Sequence, residues 1–176
     1  MRGFQAGCVI VSMALVACGS GLGSVQGHDV STSQAIFLSF GPGNTLLLVT
    51  GDMGNLCDVF TGKGRPAGSS FTVLETLLAN WNGTSSDPAV PGTYVQSVTP
   101  TADSGLFSDT LLQWGSGCAA YSALQASSGT VRVESFGGSQ AGAHLVTDVD
   151  LRFGDDHLAG RVDAVYCGQS QQICGP

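Results

Sequence analysis

Short apolar runs alternate with clusters of turn residues along most of this chain. Aromatic and β-branched residues recur within the runs, and Gly, Pro, Asn and Ser separate them, which is typical of β-strands. The pattern predicts strands at these positions: 34–40, 45–50, 69–79, 93–95, 106–114, 119–126, 130–136, 143–153 and 157–166. We also expect a short helical turn at 55–60 that ends at Gly62.

Strict alternation of apolar and polar residues is clearest in the run at 143–153. Its apolar side chains point to one face: Leu145, Val149, Leu151 and Phe153. Its polar side chains point to the other face: His144, Asp148, Asp150 and Arg152. This alternation indicates a sheet with one buried face and one wet face. Taking Phe153 opposite Leu158 sets the register of the last hairpin and places Asp150 opposite Arg161, an attractive cross-strand pair.

The predicted strands follow one another without long helices, which favours an all-β fold. We expect a single antiparallel meander domain over 34–176, closed into a small up-and-down barrel or forming a strongly curved sheet. A β-sandwich is the alternative architecture. Charged residues are only 11% of the chain and glycine contributes 26 residues, as expected for a β domain with many turns.

The N-terminal segment has a different pattern. Arg2 is the only charged side chain before Asp29, and an apolar run extends from Val9 to Ala17. A short positive region followed by an apolar run of this length is typical of a signal peptide. A helix that spans a bilayer needs about 20 apolar residues, so this run is too short for a transmembrane helix.

The end of this run, Leu15-Val16-Ala17-Cys18, resembles the lipobox of bacterial lipoproteins. In that family a diacylglycerol is attached to the cysteine thiol, and a peptidase then cuts before the cysteine. The resemblance implies a signal peptide at 1–17, export, and acyl chains such as palmitate on Cys18 that anchor the protein to a membrane. Gly19 and Ser20 stand where an inner-membrane retention signal would have aspartate, which implies the outer membrane if the cell is Gram-negative.

The segment at 18–33 is rich in Gly, Ser and small polar residues. We expect it to be a flexible tether between the lipidated cysteine and the β domain. An ordinary secretory signal, cut at Ala17 or after Gly23, is the alternative to the lipobox.

Acidic residues outnumber basic ones. The formal net charge is −7, and removal of Arg2 leaves five basic residues against thirteen acidic ones. Nucleic-acid binding requires clustered basic groups that replace counterions, so this charge pattern excludes it. Attraction to anionic lipid headgroups is excluded for the same reason. The lipid on Cys18 therefore has to hold the protein on the membrane.

Four cysteines remain once Cys8 leaves with the signal peptide and Cys18 is acylated: Cys57, Cys118, Cys167 and Cys174. An even number in an exported chain predicts two disulfides. A zinc site is the rival interpretation, but the chain has no C-x-x-C spacing and no histidine near a cysteine pair. If strand directions alternate round a barrel, the loop after the second strand and the end of the last strand lie at one end. We therefore expect Cys57 to pair with Cys167 or Cys174, and Cys118 with the other.

The region from Gln34 to Cys167 also resembles the small cysteine-bearing β lipoproteins that are frequent in myxobacteria and their relatives. Four turn-and-strand motifs carry this resemblance: Asn55-Leu56-Cys57, Pro91-Gly92-Thr93-Tyr94, Ser128-Gly129-Thr130-Val131 and Asp156-His157-Leu158-Ala159-Gly160. Most members of that group are uncharacterised, so the resemblance implies a fold and a location only.

The sequence contains no motif for catalysis. It has no G-x-S-x-G nucleophile motif, and we assign the mature cysteines to disulfides. His28 lies in the expected tether, whereas His144 and His157 begin adjacent strands at opposite ends of one hairpin and cannot easily share a metal. The acidic group follows one strand and its turn and forms no calcium-binding loop: Asp148, Asp150, Asp155 and Asp156. We therefore expect no enzyme activity, no metal and no cofactor.

The remaining candidates for ligand contact are large amphipathic aromatic residues: Tyr94, Trp114 and Tyr121, with Trp81 as a fourth. Such residues line pockets, but more often they fill a core or cover a barrel mouth. Our hypothesis is a membrane-anchored, non-catalytic β domain that serves the envelope as a structural component or binds an envelope protein, polysaccharide or small ligand. A lipocalin-like carrier of a small apolar ligand is the alternative, and an enzyme is the third and least supported hypothesis.

Overall fold

The computed structural model describes residues 21–40, 45–63, 70–97, 104–116 and 121–170. These residues form twelve strands and one short helix, in a chain order that follows the predicted strands closely. The elements are β1 (Gly21–Val25), β2 (His28–Ser31), β3 (Gln34–Phe40), β4 (Thr45–Gly51), α1 (Leu56–Phe60), β5 (Ser70–Trp81), β6 (Ser86–Asp87), β7 (Gly92–Gln96), β8 (Gly105–Ser116), β9 (Tyr121–Gln125), β10 (Ser128–Phe136), β11 (His144–Phe153) and β12 (Asp156–Gln169).

Eight of these strands close into a barrel. The order round the barrel is β5, β4, β3, β12, β11, β10, β7 and β8, and β8 pairs again with β5. Strand β6 extends the sheet beside β5, and β9 extends it beside β8. The predicted all-β barrel is confirmed, and the β-sandwich alternative is wrong.

The barrel differs from a pure antiparallel meander because two pairs of neighbouring strands are parallel. Strand β3 is parallel to β12, and β7 is parallel to β8. Because β7 and β8 run in the same direction, the segment between them adds no reversal of the chain. One missing reversal changes the direction of every later strand, and β12 consequently runs alongside β3 in the same direction. Turn residues between strands predict where the chain leaves the sheet, but they do not say along which neighbour it returns.

The last hairpin, β11–β12, has the predicted alternation but not the predicted register. The apolar side chains of β11 are buried as expected: Leu145, Val149, Leu151 and Phe153. However, Leu158 lies opposite Leu151, so the predicted pairing of Leu158 with Phe153 is wrong by two residues.

The shift in register comes from the turn. Asp156 pairs directly with the last residue of β11, which leaves a loop of only two residues. Gly154 opens this loop with φ +65°, a left-handed conformation that suits a two-residue hairpin turn and is easy for glycine. As a result Asp148 lies opposite Arg161, and the predicted pairing of Arg161 with Asp150 is wrong.

Two apolar clusters stabilise the fold. The first contains the inward-facing side chains of the barrel, among them Phe37, Leu48, Leu74, Tyr94, Leu112, Val131, Leu145, Leu151, Leu158 and Val162. The second lies on the outer side of β3, β4 and β5, where α1 covers it: Ile36, Leu38, Leu47, Val49, Met53, Leu56, Val59, Phe60, Phe71 and Val73. Strand β4 is therefore buried along nearly its whole length, as expected for a strand with a core on both faces.

The N-terminal segment contradicts our prediction. We expected a flexible tether at 18–33, but Gly21–Val25 and His28–Ser31 form an antiparallel hairpin. Leu22, Val25 and Val30 are buried with the barrel interior, and each such apolar side chain stabilises the fold by about 1.5–3 kcal/mol. The folded domain therefore includes the hairpin at 21–31 and does not begin at residue 34.

The hairpin lies at one end of the barrel, where β4 ends and β12 begins. Thr50, near the end of β4, donates its hydroxyl to the Ser31 carbonyl at 2.9 Å. On β12, Gly160 faces Leu22 so closely that an added Cβ would lie 3.0 Å from the leucine Cδ2 atom. At the hairpin tip, the backbone N–H of Gln26 donates to the Asp156 carboxylate at 2.9 Å. Small residues misled the sequence-based prediction because they were interpreted as flexible, whereas here they permit close packing.

Candidate functional site

Cys57 and Cys167 form a disulfide that joins α1 to the last strand of the barrel. Their Cα atoms are 5.5 Å apart, within the usual range for a bridge. This pairing is one of the two that we predicted for Cys57. Cys18, Cys118 and Cys174 lie outside the described residues.

The geometric reason for the bridge differs from our argument. Strand β4 runs antiparallel to β3, which is parallel to β12, so the end of β4 and the end of β12 lie at opposite ends of the barrel. The chain reaches Cys167 because α1 packs back over the outer wall. Asn55 precedes the helix with φ 59° and Gly62 follows it with φ +74°, so left-handed residues turn the chain at both ends. The predicted helical turn that ends at Gly62 is confirmed.

The predicted ligand-contact aromatics are not brought together in one pocket by the described residues. Tyr94 is fully buried in the barrel, where its hydroxyl donates to the Val90 carbonyl at 2.9 Å and accepts from the Val90 N–H at 3.1 Å. Burial raises the pKa of Tyr94, and the hydrogen bond with the Val90 backbone partly opposes that rise. Tyr94 is thus a buried residue whose hydroxyl makes two hydrogen bonds with the Val90 backbone, and its role as a ligand contact stays a prediction.

Trp114 is half-buried at the end of the barrel that carries the hairpin. Its ring stacks on the ring of His28 with centroids 4.6 Å apart. The tryptophan therefore covers a barrel mouth, one of the two roles that we considered, and its partner belongs to the segment we had taken for a tether. Tyr121 begins β9, but its side chain lies outside the described residues.

His144 and His157 lie at opposite ends of the β11–β12 hairpin, as predicted. Each is exposed and pairs with a carboxylate on the neighbouring strand at 2.7 Å: His144 with Asp163 and His157 with Asp150. Each histidine therefore has a single acidic partner. Among the described residues, no group of three or more His, Cys, Asp or Glu side chains could hold a metal ion.

The same outer face carries three arginine residues on neighbouring strands: Arg132, Arg152 and Arg161. Glu134 joins two of them, at 2.7 Å from Arg161 and 3.6 Å from Arg132. The side chains of both arginines are more than half exposed, so this charge network is a solvated sheet face.

Glu75 is a titratable group that we did not single out. It lies on the outer side of β5, between Val49 on β4 and Leu111 on β8. Burial among these neighbours raises the pKa of its carboxyl from 4.5 to about 7. A single acidic residue within the apolar run 69–79 was the available signal.

A group of neutral polar residues inside the barrel was also missed. Three oxygens there are buried without a hydrogen-bond partner among the described residues: Gln96 Oε1, Ser108 Oγ and Thr147 Oγ1. Nearby, Thr110 donates to Thr76 at 3.2 Å. The sequence signal was present in the predicted strand 106–114, where Ser108 and Thr110 share the inward face with leucines.

Comparisons with protein-family models, curated proteins and solved structures give no match for this chain. Among the described residues, no helix has the length and hydrophobicity needed to cross a membrane.

Proposed function

We propose that this chain is a lipoprotein of the bacterial envelope, anchored by lipid on Cys18, whose barrel acts as a non-catalytic binding or structural domain. The lipobox-like Leu15-Val16-Ala17-Cys18 supports the anchor. The hairpin supports a folded domain that begins almost at the anchor, because Gly21 is the first residue of β1.

The short spacing between the anchor and the barrel limits how far the domain can lie from the membrane and which of its ends faces the membrane. Only Gly19 and Ser20 separate Cys18 from β1. At about 3.3–3.6 Å for each extended residue, the lipidated cysteine can lie no more than about 11 Å from Gly21. The barrel end that carries the hairpin would then lie next to the membrane, and the opposite end would face a partner in the envelope, which we propose to be a protein or a polysaccharide.

The packing of the barrel supports this function over a carrier of small apolar ligands. An eight-stranded barrel is just wide enough either to be filled by side chains or to hold one small ligand. Here Tyr94 and Phe37 are fully buried in the interior, and Leu22 and Val25 of the hairpin pack at its mouth. An apolar ligand that entered through this mouth would have to displace the hairpin.

Lipidation can be tested with the full chain in a bacterium that exports it. Cells receive an alkyne analogue of palmitate, and the protein is then examined for label and for partition into detergent. We expect label on the wild type, none on Cys18→Ala, and full label on the control Cys8→Ala, since Cys8 leaves with the signal peptide. Label that persists in Cys18→Ala, or a wild-type protein that is exported without label, would overturn the proposed anchor.

A further inference from the structure

Two of the residues with unpartnered oxygens are neighbours in the barrel wall. Gln96 on β7 and Ser108 on β8 occupy the same register position of a parallel pair. The Gln96 amide nitrogen donates to the Ala126 carbonyl at 3.3 Å. The amide oxygen of the same side chain, Oε1, can only accept a hydrogen bond, and no donor reaches it among the described residues. Ser108 is 1% exposed, and its hydroxyl has no partner among the described residues.

The third oxygen belongs to Thr147, on the wall three strands away from Ser108. Thr147 lies opposite Val133 on β10 and Val162 on β12, and all three side chains are buried in the interior. The strand pairings that lead from Thr147 through β10 and β7 reach β8 a few residues before Ser108. Those that lead the other way, through β12, β3, β4 and β5, reach β8 a few residues after it. The two hydroxyls therefore face the interior at nearly the same height.

Unpartnered polar atoms at one level of a closed interior are unusual. Buried polar groups in folded proteins nearly always have a hydrogen-bond partner, and a buried group without one destabilises the fold. Interior polar groups of this kind are normally satisfied by buried water, which makes two to four hydrogen bonds. The neighbouring hydroxyls of Thr76 and Thr110 bond to each other, and neither has a hydrogen bond to these three oxygens.

We propose that the middle of the barrel binds a small uncharged molecule with hydroxyl chemistry, held between Gln96, Ser108 and Thr147. The molecule must donate a hydrogen bond to Gln96 Oε1, and it can accept from or donate to the two hydroxyls. The inward-facing side chains that adjoin these oxygens carry no charge, so an ion would not be compensated there. Ordered water and a small alcohol or polyol share this chemistry. Binding at these residues does not require lipidation of Cys18.

The sign of a stability change tests this site. Thr147→Val keeps the shape of the side chain and removes only the hydroxyl, and Ser108→Ala removes the other. If the molecule is bound, each variant loses a hydrogen bond, and we expect the folding equilibrium constant to fall roughly fivefold. If the oxygens face a dry core, both variants remove an unpaired polar atom and fold more stably than the wild type, which would overturn the proposal.

Thr50→Val is the matched control, because Thr50 donates its hydroxyl to the carbonyls of Ser31 and Gln34. The stability lost in Thr50→Val measures the cost of removing a hydrogen-bonded buried hydroxyl from this barrel. We expect Thr147→Val to resemble Thr50→Val in direction. A stabilised Thr147→Val beside a destabilised Thr50→Val would identify the Thr147 oxygen as unpaired.

A second measurement distinguishes ordered water from a bound alcohol or polyol. Native mass spectrometry of the protein purified from exporting cells is compared with the same protein after unfolding in urea and refolding in clean buffer. An added mass that disappears on refolding, with a lower melting temperature, identifies an organic alcohol. An unchanged mass and melting temperature, with density between Gln96 and Thr147 in a high-resolution crystal structure, identifies water. An interior without density between those residues contradicts the proposal.

Discussion

The carboxylate of Asp156 accepts the backbone N–H of Gln26 at 2.9 Å, across 130 positions of sequence. This bond attaches the tip of the N-terminal hairpin to the tight turn between β11 and β12. The same end of the barrel carries the stacked rings of His28 and Trp114. A segment with the composition of a linker is therefore a structural part of the barrel.

Because the hairpin packs on the barrel, we expect a single substitution near the N-terminus to lower the stability of the whole domain. Leu22→Ala removes a side chain that is 4% exposed, and we expect a loss of about 2–4 kcal/mol in the free energy of unfolding. Urea denaturation followed by tryptophan fluorescence measures this loss. The control Ser24→Ala, on an exposed position of the same strand, should change stability by less than about 0.5 kcal/mol. Equal stabilities for the two variants would mean that the hairpin is not packed on the barrel.

The Cys57–Cys167 disulfide closes a loop of 110 residues in the unfolded chain. Removal of such a constraint from a small folded domain is expected to cost about 2–5 kcal/mol, because the unfolded chain gains conformational entropy. We expect this loss in Cys167→Ala, measured by urea denaturation without reductant.

Cys174→Ala is the matched control for that bridge, because it tests the other cysteine that we considered for Cys57. Alkylation of free thiols before and after unfolding should show one new thiol at Cys57 in Cys167→Ala. A new thiol at Cys57 in Cys174→Ala would instead assign the bridge to Cys174.

Glu75 predicts a pH-dependent stability with a definite sign. The pKa of its carboxyl is about 7 in the folded protein and 4.5 as the unperturbed value. The folded state thus holds the proton more tightly than the unfolded state, so the free energy of unfolding falls as the pH rises from about 4.5 to 7 and then levels off. The contribution is up to about 3 kcal/mol.

Glu75→Gln keeps a neutral side chain at every pH and should remove this loss, so that the variant is more stable than the wild type above pH 7. Melting temperatures recorded between pH 4 and 8 measure the difference. Glu134→Gln, on the outer face of β10, should retain the wild-type fall between pH 4.5 and 7. A wild-type curve that rises over this range would contradict the assignment.

Gly129 predicts a steric effect within the β10–β11 pair. It has φ +126°, and a Cβ at this position would collide with the backbone carbonyl of Asp150 on β11. Gly129→Ala therefore forces two backbones apart, and we expect a loss of more than about 2 kcal/mol. Gly54→Ala is the control, because nothing lies within 4 Å of its added Cβ. Thermal melts of the two variants measure the difference, and a melting temperature for Gly129→Ala equal to that of Gly54→Ala would contradict the close approach.

The eight strands of the barrel were predictable because each depends on local patterning. The alternation of Leu145, Val149 and Leu151 with charged residues identified β11 and its buried face, since successive side chains of a strand point to opposite sides. The short helix between Asn55 and Gly62 was predictable for the same reason: its signals lie within a few residues of one another.

The sequence by itself determined the all-β class, the positions of the barrel strands and the pairing alternatives for Cys57. Only the tertiary structure decided the parallel pairs, the register of the last hairpin and the place of the N-terminal segment. Each of these depends on contacts between distant residues, such as Gly160 with Leu22, whose energy is not visible in local composition. The alternation along β8 indicates that Ser108 faces inward, but only the closure of the barrel buries its hydroxyl and that of Thr147 without a partner among the described residues.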